Sequence, residues 1–110
     1  MEVKTEDNSG VIILTPMGRV DTSTAKIFED SVMAAADTNG KIAVSFDSID
    51  YISSAGLRVV LMLGKKLKAS NGTLVLINMP DKIYSVFKMS GFDKILKICA
   101  TFDEAKPLFG

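Results

Sequence analysis

The sequence predicts an α/β domain: a small mixed, mostly parallel β-sheet packed by about four helices, with an N-terminal β-hairpin. Three observations carry this. Strand-like and helix-like stretches alternate along the chain. Two strand candidates, Lys41–Phe46 and Thr73–Ile77, are nearly continuously apolar, as strands covered on both faces are. Two longer stretches instead repeat their apolar residues every three or four positions, the period of a helix with one buried face.

The elements follow in order. Asn8, Ser9 and Gly10 form a turn signal between Glu2–Thr5 and the β-branched run Val11–Leu14, which reads as a hairpin. Pro16 and Gly18 break that run, and Asp21, Thr22, Ser23 and Thr24 offer N-caps for a helix reaching about Asp37. Its apolar positions are Ala25, Phe28, Val32, Ala35 and Ala36, and Asn39 and Gly40 end it. Lys41–Phe46 is expected at the centre of the sheet, followed by a loop over Asp47–Ile52. A helix from about Ser54 to Ala69 places Leu57, Val60, Leu61, Gly64 and Leu67 or Lys68 on one stripe and ends at Asn71 and Gly72. After the strand Thr73–Ile77, Pro80 and Asp81 open a short helix carrying Ile83, Val86 and Phe87, stopped by Gly91. Ile95–Ile98 is read as the last strand, and Thr101–Ala105 begins a closing helix that Pro107 limits.

Composition narrows the function. The 110 residues, 47% hydrophobic and 24% charged, suit a single domain over 1–110. Thirteen Lys and Arg balance thirteen Asp and Glu, and no basic run tracks a phosphate backbone, so direct nucleic-acid binding is not expected. The charged start Met1–Asp7 is no signal peptide and no apolar run reaches membrane-spanning length. The expectation is therefore a cytoplasmic protein, or the soluble part of something larger, with no membrane insertion. Cys99 is the one cysteine and lies in the apolar stretch Ile95–Cys99, where a buried structural thiol is expected. Histidine is absent, which removes Ser-His-Asp triads, Cys-His pairs and His-containing zinc sites. No catalytic residue, metal site or cofactor is expected, and the chain does not read as an enzyme. A third class, an enzyme or nucleotide-binding protein using the Asp21, Asp47, Asp50 and Ser54 edge, lacks a Gly-rich phosphate loop of the required spacing.

What remains is the run Asp50–Arg58, where two adjacent hydroxyls, Ser53 and Ser54, stand at a helix start. Either can cap the helix, its oxygen accepting a first-turn backbone N–H. Either can also carry a phosphate, which a helix N-terminus attracts. In sheets of this kind binding sites gather at the carboxyl ends of parallel strands. If the strands Val11–Leu14 and Ile42–Phe46 are neighbours, Asp21 and Thr22 approach Ser54. Counting round the helix from Ser54 leaves Arg58, Val59, Met62, Lys65 and Lys66 off the buried stripe. Val59 and Met62 then form an exposed apolar patch suited to a partner, unless a further layer covers them.

These residues resemble the STAS domain of bacterial anti-sigma factor antagonists, along nearly the whole chain. Gly18-Arg19-Val20-Asp21 followed by Thr24 and Ala25 looks like the family's early loop and helix entry. Asp50-Tyr51-Ile52-Ser53-Ser54-Ala55-Gly56-Leu57 looks like its phosphorylation motif, and Met89-Ser90-Gly91-Phe92 like its late helix-ending motif. The chain departs in having Ser53 where Asp is frequent and Ala55 where Ser or Thr is frequent. Aligned on Gly56 and Leu57, the resemblance implies Ser54 as the phosphoacceptor, with Ser53 the second candidate. It implies that the unphosphorylated domain binds an anti-sigma factor with serine kinase activity, and the surface read from the residues for that partner is Asp21, Thr22, Ser53, Ser54, Arg58, Val59 and Met62. The sigma factor is thereby released to regulate transcription. Phosphorylation ends the binding and a phosphoserine phosphatase restores it. The alternative within the same fold is a subunit of a lipid-transport ATPase complex or a stress-sensing assembly without phospho-switching.

Overall fold

Ser9 and Gly10 both adopt positive φ, 55° and 89°, the left-handed pair that closes a tight two-residue hairpin. In the computed structural model, which describes residues 1–110, they join β1 (Glu2–Asn8) antiparallel to β2 (Val11–Val20). The Asp7 carboxylate accepts the Gly10 N–H at 3.0 Å and holds the turn.

β2 continues through Pro16 and Gly18, where the sequence predicts a break. It changes neighbours there. Its first half pairs parallel with β3 (Lys41–Ser45) as far as Leu14 opposite Val44, and its last residues pair parallel with β4 (Ile49–Ile52) from Gly18 onward. Pro16, which has no N–H, falls between the two ladders and so leaves neither a bond short. Gly18, at φ 99°, sits where the register shifts between Gly18 and Arg19. β4 occupies a stretch expected to be loop.

The remaining elements are α1 (Ala25–Thr38), α2 (Ser54–Ala69), β5 (Thr73–Ile77), α3 (Asp81–Met89), β6 (Lys97–Cys99) and α4 (Phe102–Ala105), with 3₁₀ turns at Phe92–Lys94 and Lys106–Phe109. The sheet order is β1-β2-β3-β5-β6, with β4 beside the end of β2, and only β1 runs antiparallel. β6 begins later than the expected Ile95, because the chain after Gly91 first spends residues on the 3₁₀ turn. Cys99 is half-buried against the smaller core rather than enclosed.

Strand alternation divides the core in two. Ile12, Leu14, Ile42, Val44, Leu74 and Leu76 face α1, α2 and α3 and pack with Phe28, Val32, Val60, Leu63, Ile83 and Phe87. Phe46 meets Phe87 edge to face, with centroids 5.6 Å apart. Val11, Ile13, Ala43, Val75 and Ile77 face the other way, under Ala105 and Phe109 of the C-terminal segment. This two-sided burial is why the central strands read as unbroken apolar runs.

Candidate functional site

β2 and β4 end side by side. Val20 lies opposite Ile52, and the Ser53 N–H donates to the Val20 carbonyl at 2.7 Å. Asp21 and the serine pair therefore leave the sheet at the same edge, and α1 and α2 start from it.

The Asp21 loop is held by its own side chains. Asp21 Oδ1 accepts from the Ser23 hydroxyl at 2.7 Å, the Ser23 N–H at 2.9 Å and the Thr24 N–H at 3.2 Å. Thr24 Oγ1 donates to the Arg19 carbonyl at 2.7 Å and accepts the Asp21 N–H at 2.9 Å. Bonding from the Ser23 hydroxyl, aided by the Ser23 and Thr24 N–H groups, lowers the Asp21 carboxyl below its ordinary 3.8 against the opposing effect of burial. Asp21 Oδ2 lies 3.8 Å from Arg19 Nε, and the Arg19 guanidinium stands 4.4 Å over the Tyr51 ring. Thr22 is exposed beside them.

At the serine pair the two hydroxyls separate in role. Ser53 is the N-cap of α2: its backbone is extended, at φ −87° and ψ 172°, and its Oγ accepts the Gly56 N–H at 3.3 Å. Ser54 is the first helical residue, exposed, and its hydroxyl has no hydrogen-bond partner in the chain. Gly56 lets this turn lie against the sheet, since a Cβ there would come 2.6 Å from Val20 Cγ1 and 2.8 Å from Ile52 Cγ1.

Along α2, Ser54, Arg58 and Met62 recur every four residues and are all exposed, Met62 at 44%. Val59, expected beside them, is instead 3% exposed and part of the main core. The reason is α1. Lys66 lies two turns beyond Val59 on the same side of α2, and its Nζ pairs with Asp37 Oδ1 of α1 at 2.8 Å, so that side of α2 is covered by a neighbouring helix. The exposed surface at this edge is therefore Thr22, Ser54, Arg58 and Met62, extended by Arg19 and Tyr51. The last two stand in the motifs quoted from the sequence but are not placed on the binding surface by it, because their contact depends on Arg19 pairing opposite Tyr51 between β2 and β4.

The other carboxylates of this edge do not join Asp21. Asp47 Oδ1 accepts from Ser45 Oγ at 3.0 Å, and Ser45 Oγ in turn accepts from Asn78 Nδ2 at 3.0 Å. Asp50 stands exposed on β4.

Comparison with known proteins agrees with this geometry. Residues 2–105 match the model of the STAS domain. BtrV of Bordetella bronchiseptica, provisionally named an anti-sigma factor antagonist, is 32% identical over 110 residues, covering 99% of this chain and 95% of that protein. The crystal structure of a Thermotoga maritima protein, also provisionally named an anti-sigma factor antagonist, superposes with a TM-score of 0.90 at 24% identity, covering 97% of this chain and 93% of that one. The phosphorylated form of the Bacillus cell fate determinant SpoIIAA shares the fold, with a TM-score of 0.73 at 17% identity and coverage of 97% and 99%. No helix is long and apolar enough to cross a membrane. The chain belongs to the STAS domain family.

Proposed function

We propose that this chain is an anti-sigma factor antagonist whose binding surface is switched by phosphorylation of Ser54. One observation carries the reading. Beside a serine already used as helix cap, a second serine stands exposed and unbonded at the helix start, heading a stripe that continues through Arg58 and Met62. The partner is an anti-sigma factor with serine kinase activity, which docks on Thr22, Ser54, Arg58 and Met62, with Ser53 and Asp21 shaping the edge from behind. A phosphoserine phosphatase reverses the switch, and the exchange takes place in the cytoplasm. The name of the Bordetella relative supports the class of partner. The phosphorylated form of SpoIIAA supports the use of this fold as a carrier of phosphate.

Phosphate on Ser54 adds about −1.5 to −2 charges at the positive end of α2, which favours anions. The domain therefore keeps its fold while the docked surface acquires a buried, unpaired charge. Turning a 99:1 balance into 1:99 needs about 5.5 kcal/mol of differential affinity, a size that like-charge repulsion and desolvation in a closed interface can reach. Incubation with the cognate kinase and ATP, followed by peptide mass spectrometry, should place one phosphate on Ser54. Phosphate on Ser53 alone, or none, contradicts the assignment.

A further inference from the structure

At the far end of α2, the helix, β5 and the start of β6 line an open-sided cavity of about 420 Å³. Its apolar wall is Leu61, Leu74, Ile95 and Leu96, and Gly64 keeps the α2 side close, since a Cβ there would come 3.2 Å from Leu96 Cδ2. Lys65, Lys68 and Lys97 also line it, and no Asp or Glu does. None of these three lysines joins an ion pair, which is equally true of Lys41, Arg58, Lys82, Lys88 and Lys94, so no carboxylate of the chain offsets the three charges that meet at this cavity. In a chain of zero net charge this is a local excess of positive charge around apolar surface. The negative end of the α2 dipole accounts for Lys68, but not for Lys97, which comes from a strand.

We propose that this cavity binds a small anionic amphiphile, a single carboxylate on a short alkyl chain. The tail lies against Leu61, Leu74 and Leu96, and the head lies among the three ammonium groups, whose stems line the wall while their charges stay in water. The volume falls within the range of small-ligand sites, about 300–1,000 Å³, and is too small to seat a partner helix about 10–12 Å across. Lys65 lies about 16 Å along α2 from Ser54 at 1.5 Å per residue, so the site is separate from the proposed switch.

The test titrates the full, isotope-labelled chain with decanoate below its micelle threshold, read by amide chemical shifts and calorimetry. Saturable shifts are expected at Leu61, Gly64, Thr73 and Leu96. Decanol, which keeps the tail, and acetate, which keeps the head, should each bind at least tenfold more weakly. The triple variant Lys65→Gln, Lys68→Gln, Lys97→Gln should lose at least tenfold in affinity, with Lys97→Gln alone as the milder variant if the triple one does not fold. Absence of saturable shifts, shifts centred elsewhere, decanol binding as well as decanoate, or unchanged affinity in the lysine variants would each overturn the proposal.

Discussion

Ser53 has an extended backbone and turns its Oγ onto the Gly56 N–H, whereas Ser54, one residue later, is already helical and leaves its hydroxyl in solvent. Removing the first hydroxyl orphans a helix N–H; removing the second leaves every internal bond in place. Ser53→Ala should therefore cost about 1 kcal/mol, and Ser54→Ala should stay within about 0.5 kcal/mol of the parent, both measured by urea unfolding. That a serine caps this helix is legible in the sequence; which of the two does so depends on the φ and ψ reached where β4 ends, and those follow from its pairing with β2. Asp21 gives a second test at this scale. Its carboxyl is held low by the Ser23 hydroxyl first and by the Ser23 and Thr24 N–H groups after it. The stability it lends is thus fully present above the unfolded value near 3.8 and is lost as pH falls through the lower folded value. Asp21→Asn should lower stability near pH 7, where the carboxylate's contribution is fully present, and flatten the acid limb below about pH 4, so that parent and variant converge towards pH 2.5, as urea midpoints from pH 7 to pH 2.5 would show.

At the scale of the element, α2 shows how far a helical pattern can be read. Its span, Ser54–Ala69, and the burial of Leu57, Val60 and Leu67 follow from spacing alone. A one-dimensional pattern finds the face turned to the sheet, but not the second row that a neighbouring helix closes. Val59 and Leu63 are both buried, and Leu61, placed on the sheet stripe by counting, is only half-buried. Met62, one residue before Leu63, remains exposed. Val59→Ala should destabilise by about 2 kcal/mol through the cavity it leaves in a packed core. Met62→Ala should leave unfolding within about 0.5 kcal/mol and instead weaken the anti-sigma factor by about tenfold or more, measured by calorimetry. The opposite pattern, with Met62 governing stability and Val59 governing binding, would return Val59 to the docking surface.

Across the whole molecule, the alternation of strands and helices, the N-terminal hairpin and the mostly parallel sheet are legible because each rests on local periodicity and turn chemistry. Long-range pairing is not. That β2 passes Pro16, leaves β3 and takes β4 as its neighbour is decided by residues far apart in sequence, and the same pairing brings Asp21, Ser54 and the Arg19–Tyr51 contact to one edge. The shared edge gives the proposed switch a surface whose charge would change without a change of shape: α1 and α2 are anchored in the larger core behind it, and Ser54, the proposed phosphate acceptor, is the first helical residue of α2. The most direct measurement compares the affinity of the unmodified chain and the chain carrying phosphoserine at position 54 for the cognate anti-sigma factor, with thermal unfolding of both. The account predicts a loss of at least 100-fold in affinity and a melting temperature unchanged or slightly higher. Equal affinities, or a loss of binding that accompanies unfolding, would contradict it.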